Sequence, residues 1–236
     1  MLLDLDRRLD TIFLSSLART MRRRHLTYLS PHKLRVLEAT MRQLNERGIL
    51  GNYLEFGVAL GGSAILIASN VPQGYAFHGY DVFGMIPPPG PKDVKRSHER
   101  YEEIRSGRSR GLGGDTYYGY VDNLYERVCD SMAKYRQPVD GKRVHLHQGL
   151  FEETLDPSDT SPVAFAHIDC DWYEPVLYCL LAIQNRLLPG ARVVLDDYND
   201  YGGCRKAVDA FLERYGARKF MRLGRREPNA ILERIG

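Results

Sequence analysis

Two short stretches, "HIDCDWY" at 167–173 and "VLDDYND" at 194–200, place Asp169, Asp171, Asp196 and Asp197 where two apolar runs end. Aspartate is a poor strand residue and costly to bury, so the placement asks for a chemical reason. Side chains alternate along a strand, which puts Asp169 and Asp171 on one side if the strand reaches that far. The apolar stretch 172–189 between the clusters reads as a helix, with Pro175 near its first turn and Pro189-Gly190 at its end. Residues 163–195 then form a strand–helix–strand unit whose strands are neighbours, about 4.8 Å apart. Asp169 and the pair Asp196-Asp197 converge at the carboxyl edge of such a sheet, where open α/β folds bind ligands. Carboxylates that close raise one another's pKa unless a cation is present. An all-oxygen set suits Mg²⁺ or Ca²⁺ rather than zinc. A lone Asp-Asp after a strand also reads as a cap or a solvated turn, but two such clusters ending neighbouring strands favour a metal. Both members of the pair can face one ion only if the strand has already turned, which the following "YNDYGG" permits.

A second constellation is "YLEFGVALGGSA" at 53–64, in which a strand carrying Glu55 runs into Gly57, then Gly61-Gly62-Ser63, then a helix. Glycines there let backbone approach a ligand, and free amides at a helix start attract anions. A plain tight turn is the competing interpretation. The spacing is not the G-x-G-x-x-G of dinucleotide binders. Asp81, in "HGYDVF", closes the next strand, where an acid can accept hydrogen bonds from a ribose. That role serves either a nicotinamide dinucleotide or S-adenosylmethionine, and the missing fingerprint favours the latter.

These groups need a scaffold. Apolar runs at "GNYLEFGV", "YAFHGYDVF", "KRVHLHQG", "PVAFAHID" and "ARVVLDD" alternate with helical patterns. This predicts an α/β fold with a mostly parallel central sheet covered by helices on both faces. The tail predicts a closing antiparallel hairpin that turns at "REPN". Residues 1–48 read as an N-terminal helical extension. Within it Ser30 is a cap, Pro31 a first helical residue and Gly48 a stop, with Leu34, Leu37, Met41 and Leu44 forming one stripe. The stripe either covers the site or builds a homodimer or higher homo-oligomer. One domain spans 49–236, interrupted at about 84–120 by a Pro-, Gly- and charge-rich insertion.

The chain has 236 residues, 43% hydrophobic and 27% charged, with a formal charge of +3. That is an ordinary globular composition, with too little positive charge to argue for nucleic acid. The four cysteines lack metal-binding spacing, and no apolar run approaches a membrane span. A soluble cytoplasmic protein with reduced thiols is expected.

In order along the chain, "EFGVALGGSA", "YDVF…IPPP", "GLFEETL", "HIDCDWYEPVLYCL", "PGARVVLDDY" and "GCRKAVDAF" resemble the macrocin-type sugar O-methyltransferases of macrolide and aminocoumarin biosynthesis. The resemblance covers about residues 50–235. It implies a Rossmann-like class I methyltransferase fold and dependence on S-adenosylmethionine and Mg²⁺. It also implies a sugar or glycoside as the small-molecule acceptor; the charge and hydropathy above lead to the expectation of no nucleic-acid or membrane partner. By the same resemblance Glu55, Gly57, Gly61 and Ser63 would hold the methionine part of the cofactor, Asp81 its ribose, and Gly149 and Phe151 would border the adenine. Asp169 would serve the cofactor and, with Asp196 and Asp197, the metal. Asp171 would be the general base, with His167, two residues before Asp169, the second choice; His145 and His147 are rivals better read as core or surface groups. Where the family has Trp-Arg this chain has Ala59-Leu60, and its acceptor segment reads "VFGMIPPPGPKDVKR". The seven Lys/Arg against four Asp/Glu over 92–110 suit either a phosphorylated acceptor or a solvated lid. Tyr117, Tyr118 and Tyr120 could stack on an acceptor or simply pack. Three rivals remain: a catechol-type O-methyltransferase, a nicotinamide-dependent oxidoreductase, and a non-catalytic scaffold.

Overall fold

A serine followed by a proline starts the first long helix. The Ser30 hydroxyl accepts the Lys33 N–H at 3.2 Å, and Pro31 takes the first helical position. The computed structural model describes residues 13–156, 158–200, 202–216, 218–224 and 229–236. Within these, the N-terminal extension is two helices, α1 (Ser16–Arg23) and α2 (Pro31–Glu46). The break between them ends at Ser30, which is extended before Pro31 and caps α2 as its sequence suggests; the reading for residues 1–12 lies outside the described residues. Leu34, Leu37, Met41 and Leu44 are all fully buried, so the stripe faces the protein's own core.

The strands are β1 (Asn52–Phe56), β2 (Phe77–Asp81), β3 (Val144–Gln148), β4 (Val163–Ile168), β5 (Leu187–Leu195), β6 (Phe220–Leu223) and β7 (Ala230–Arg234). They form a seven-stranded sheet in the order β3-β2-β1-β4-β5-β7-β6. The first five are parallel, and β7 pairs antiparallel with both β5 and β6. The hairpin is therefore present; residues 226–228 of its expected "REPN" turn lie outside the described residues. The remaining helices are α3 (Gly62–Asn70), α4 (Lys95–Arg105), α5 (Leu124–Lys134), α6 (Phe151–Thr154), α7 (Tyr173–Ile183) and α8 (Gly203–Phe211). Alternation along β1 divides the core: Tyr53 joins α1, α2, α3 and α5 on one face, while Leu54 and Phe56 join α7 and α8 on the other.

The helix expected over 172–189 stops at Ile183, and Pro189-Gly190 falls inside β5. The β4–β5 pairing jumps from Val163↔Leu187 to Phe165↔Arg192, so the extra residues of β5 bulge out there. A proline fits a strand only at such an irregularity, and Gly190 supplies its positive φ of 80°.

The insertion is tied down at its start. Asp93 accepts the Gly90 and Tyr173 N–H groups, each at 2.9 Å, and the Trp172 indole donates to the Pro87 carbonyl at 3.1 Å. These contacts pin "PPPGPKD" against the start of α7 before α4 begins. Among the described residues no helix is long and apolar enough to cross a membrane.

Candidate functional site

The sheet order reverses between β1 and β4, and the four aspartates lie just beyond the carboxyl ends of β4 and β5. The ladder carries them there: the Asp169 N–H donates to the Phe56 carbonyl at 2.8 Å, and the Asp196 N–H to the Ile168 carbonyl at 2.9 Å. β5 ends at Leu195 and the chain turns at once, so Asp169, Asp196 and Asp197 each offer an oxygen within 4.8 Å of the others. Asp171 arrives by a different route from the expected strand alternation, since β4 stops at Ile168. The Trp172 N–H bonds the Cys170 carbonyl at 2.6 Å, a three-residue turn with Asp171 at its centre and a φ of 59°. Such γ-type turns with positive φ are rare and strained. The Asp171 N–H also donates to Asp197 Oδ2 at 3.2 Å, which ties the two loops together.

Two cavities meet at this edge. One, of about 400 Å³, is walled by Val82, Ile86, Pro87, Gly149, Phe151 and Trp172. The other, of about 350 Å³, is walled by Tyr28, Lys33, Arg96, Arg100, Tyr117 and the pair Asp196-Asp197. Gly57, Asp81, Tyr118, Asp169 and Asp171 belong to both. Of the expected site residues, the structure thus brings Gly57, Asp81, Gly149, Phe151, Asp169, Asp171, Asp196 and Asp197 to the cavities.

The others are not there. Glu55 and His167 are fully buried and face each other, with Glu55 Oε1 3.0 Å from His167 Nδ1. Ser63, also buried, interacts with the Glu55 carboxylate. Neither Glu55, Gly61, Ser63 nor His167 lines either cavity. His167, the second choice for base, is fully buried behind Asp196 and against Glu55. Burial lowers its pKa, but Asp196 and Glu55 outweigh that and lift it to about 9. Its Nε2 lies 3.8 Å from Asp196 Oδ1.

The glycine turn also differs from expectation. The Gly62 N–H donates to the Leu26 carbonyl at 2.8 Å, and Val58 and Ala59 donate to Asp81 Oδ2 at 2.7 and 2.9 Å. These amides are engaged by the protein itself rather than open to an anion. Gly57 is required for packing: a Cβ there would stand 1.9 Å from the Asp169 carbonyl oxygen. Asp81 accepts a third bond, from Phe83, at 2.7 Å, so its carboxylate organises the turn that it helps to wall.

Sequence reasoning missed Lys33 and Asn229. Lys33 Nζ reaches Asp196 Oδ2 at 2.6 Å and Asp200 Oδ2 at 2.9 Å, and Asn229 Nδ2 donates to Asp196 Oδ1 at 2.8 Å. Burial pushes Asp196 up, but His167 and Lys33 overcome it and hold it below the ordinary carboxylate range. Burial and like charge push Asp169 and Asp197 well above that range. Burial and Asp196 lift Asp171 to about 6, against Arg100 and Lys33. Converging oxygens with surplus negative charge and no nitrogen or sulfur ligand fit a hard divalent cation such as Mg²⁺.

Comparison with known proteins agrees with this architecture. The sequence profile of the macrocin-O-methyltransferases (TylF) matches residues 16–222. The 8-demethyl-8-(2,3-dimethoxy-alpha-L-rhamnosyl)-tetracenomycin-C 4'-O-methyltransferase of Streptomyces olivaceus is 29% identical over 177 residues, 72% of this chain and 60% of that relative. The chain thus aligns with well under two thirds of that relative's length. The O-methyltransferase NovP superposes with a TM-score of 0.72 at 20% identity, covering 89% of this chain and 82% of NovP. TomG of Streptomyces achromogenes, an O-methyltransferase of tomaymycin synthesis solved with S-adenosylmethionine, superposes with a TM-score of 0.58 at 16% identity, covering 99% and 96%. The fold is that of the class I methyltransferases.

Proposed function

The chain belongs to the macrocin-O-methyltransferase family, and from that premise we propose that it methylates a sugar hydroxyl of a glycosylated natural product, using S-adenosylmethionine and Mg²⁺. The observation that carries this reading is the pair of cavities with Asp169 and Asp171 in their common wall. A donor in one and an acceptor in the other would meet there. The cavity bordered by Gly149 and Phe151 suits an adenosyl group, since Phe151 packs edge-on against Phe56 and presents an apolar wall. The TomG complex and the rhamnosyl-directed relative support donor and acceptor class respectively.

Asp169, Asp196 and Asp197 would hold the metal. Bound there, Mg²⁺ supplies Lewis acidity and a template for acceptor hydroxyls. Asp171, in the shared wall, would take the hydroxyl proton. Its turn and its bond to Asp197 keep it beside the carboxylate cluster. Tyr28, Tyr117 and Tyr118 would line the acceptor with aromatic surface, and positioning by these walls contributes a large part of the barrier reduction.

The test offers the chain labelled S-adenosylmethionine with glycoside acceptors and with catechols, with Mg²⁺ or with a chelator. Label should enter a glycoside and vanish on chelation. Label in catechols alone, metal-independent transfer, or binding of NAD in place of S-adenosylhomocysteine would reject it.

A further inference from the structure

We propose that Lys33 is a resident counter-cation of the aspartate cluster, holding it together when no divalent ion is bound and competing with that ion for Asp196. This rests on the metal reading above. The Lys33 ammonium contacts Asp196 at 2.6 Å and Asp200 at 2.9 Å, with its side chain 15% exposed. Asp196 is one of the three carboxylates whose oxygens converge, and the ammonium already occupies its Oδ2.

The placement is an expensive one for a lysine. Lys33 stands in the first turn of α2, where the helix dipole disfavours cations, and that turn carries no acidic residue. The Ser30 cap holds the Lys33 N–H, and Leu34 and Leu37 are fully buried, so the turn that delivers the ammonium is anchored on both sides. A desolvated cation persists at a helix N-terminus only if it faces compensating charge, here two carboxylates.

On the other side of Asp196, Asn229 holds Oδ1 at 2.8 Å, with His167 Nε2 at 3.8 Å. Both oxygens are engaged. A divalent ion reaches Oδ2 only by sharing or displacing the Lys33 contact and Oδ1 only beside Asn229, and in either position it meets the repulsion of the Lys33 ammonium. The same contact links α2 to the loop after β5, 163 residues away, so metal entry and seating of the N-terminal layer are coupled.

Calorimetric titration with Mg²⁺, and melting with and without it, test this on the full chain, its Lys33→Met and Lys33→Gln variants, and Lys33→Arg. Both uncharged variants should bind Mg²⁺ about tenfold more tightly than the parent. They should melt lower than the parent without metal and recover most of the difference at saturation. Lys33→Arg, which keeps the charge, should stay near the parent. Equal or weaker Mg²⁺ binding by the uncharged variants would overturn the proposal, leaving Lys33 as an orienting partner of Asp196. If parent and variants alike fail to bind Mg²⁺, the metal reading itself falls, and the competition with it.

Discussion

At the scale of single residues, the site depends on two backbone conformations as much as on carboxylates. Asp171 sits at a positive φ of 59°, which asparagine tolerates and alanine resists. Asp171→Asn should therefore keep the turn and lower kcat by about 10²–10⁴-fold, with S-adenosylhomocysteine affinity nearly unchanged by calorimetry. Unaltered turnover would remove Asp171 from the role of base. Gly57 carries the opposite kind of constraint, with a φ of 94° and the Asp169 carbonyl where a Cβ would go. Gly57→Ala should destabilise the fold by about 3 kcal/mol or more in urea unfolding. A loss under about 1 kcal/mol would show that β1 and β4 can separate to admit the methyl group. The sequence marked both residues as chemically important. It gave Gly57 a ligand-facing reason, because contact with a residue 112 positions later is invisible in a local pattern.

At the scale of elements, the insertion is a wall with defined anchors. Asp93 joins the proline segment to the N-terminus of α7, and that segment supplies Ile86, Pro87 and Pro88 to the cavity bordered by Gly149 and Phe151. Asp93→Ala leaves two backbone donors without their acceptor and should lower stability by about 1–3 kcal/mol. Binding of S-adenosylhomocysteine should weaken with it, because the wall loses its tether. Wild-type affinity in a folded Asp93→Ala variant would show that the wall holds without it. Among the basic side chains of 92–110, Lys95, Arg100 and Arg105 pair locally, with Glu99, Glu103 and Glu102. Arg96 and Arg100, four apart on α4, line the same cavity as Lys33 and Asp196. Net charge over the segment could not separate those roles, since only the helix places these two on the cavity.

At the scale of the whole molecule, the edge of the sheet carries a pH-sensitive stack. His78 on β2 stacks on His145 at 4.4 Å, and His78 Nδ1 lies 3.1 Å from His147 Nε2. Burial, then the neighbouring His145 and His147, lower His78 to about 4, and burial also lowers His147. Unfolded histidine binds a proton near pH 6.5 while the folded group does not. The stack's contribution to stability is therefore complete above that pH and falls between about pH 6.5 and 4, by about 2 kcal/mol for His78 once its partial exposure is allowed for. The raised carboxylates Asp169, Asp171 and Asp197 act in the opposite direction, so the comparison is between parent and His78→Phe: the urea midpoint of the variant should change from pH 7.5 to 5 in the direction of greater stability relative to the parent. The same pH dependence in both would mean that the stack accepts protons without strain.

The sequence by itself determined the strand–helix alternation, the apolar stripe of α2 though not what it packs against, the C-terminal hairpin, and the convergence of Asp169 with Asp196 and Asp197. These follow from hydrophobic period and from aspartates at strand ends, both local signals that a parallel sheet converts into proximity. Tertiary structure alone decided that Glu55 and His167 are sealed in a pair, that Asp81 holds the glycine turn, and that Lys33 reaches Asp196 across 163 residues. Those outcomes depend on which polar groups meet after the layers close. Burial then forces each group to pair with whatever the opposing element presents, and that pairing has no periodicity for the sequence to display.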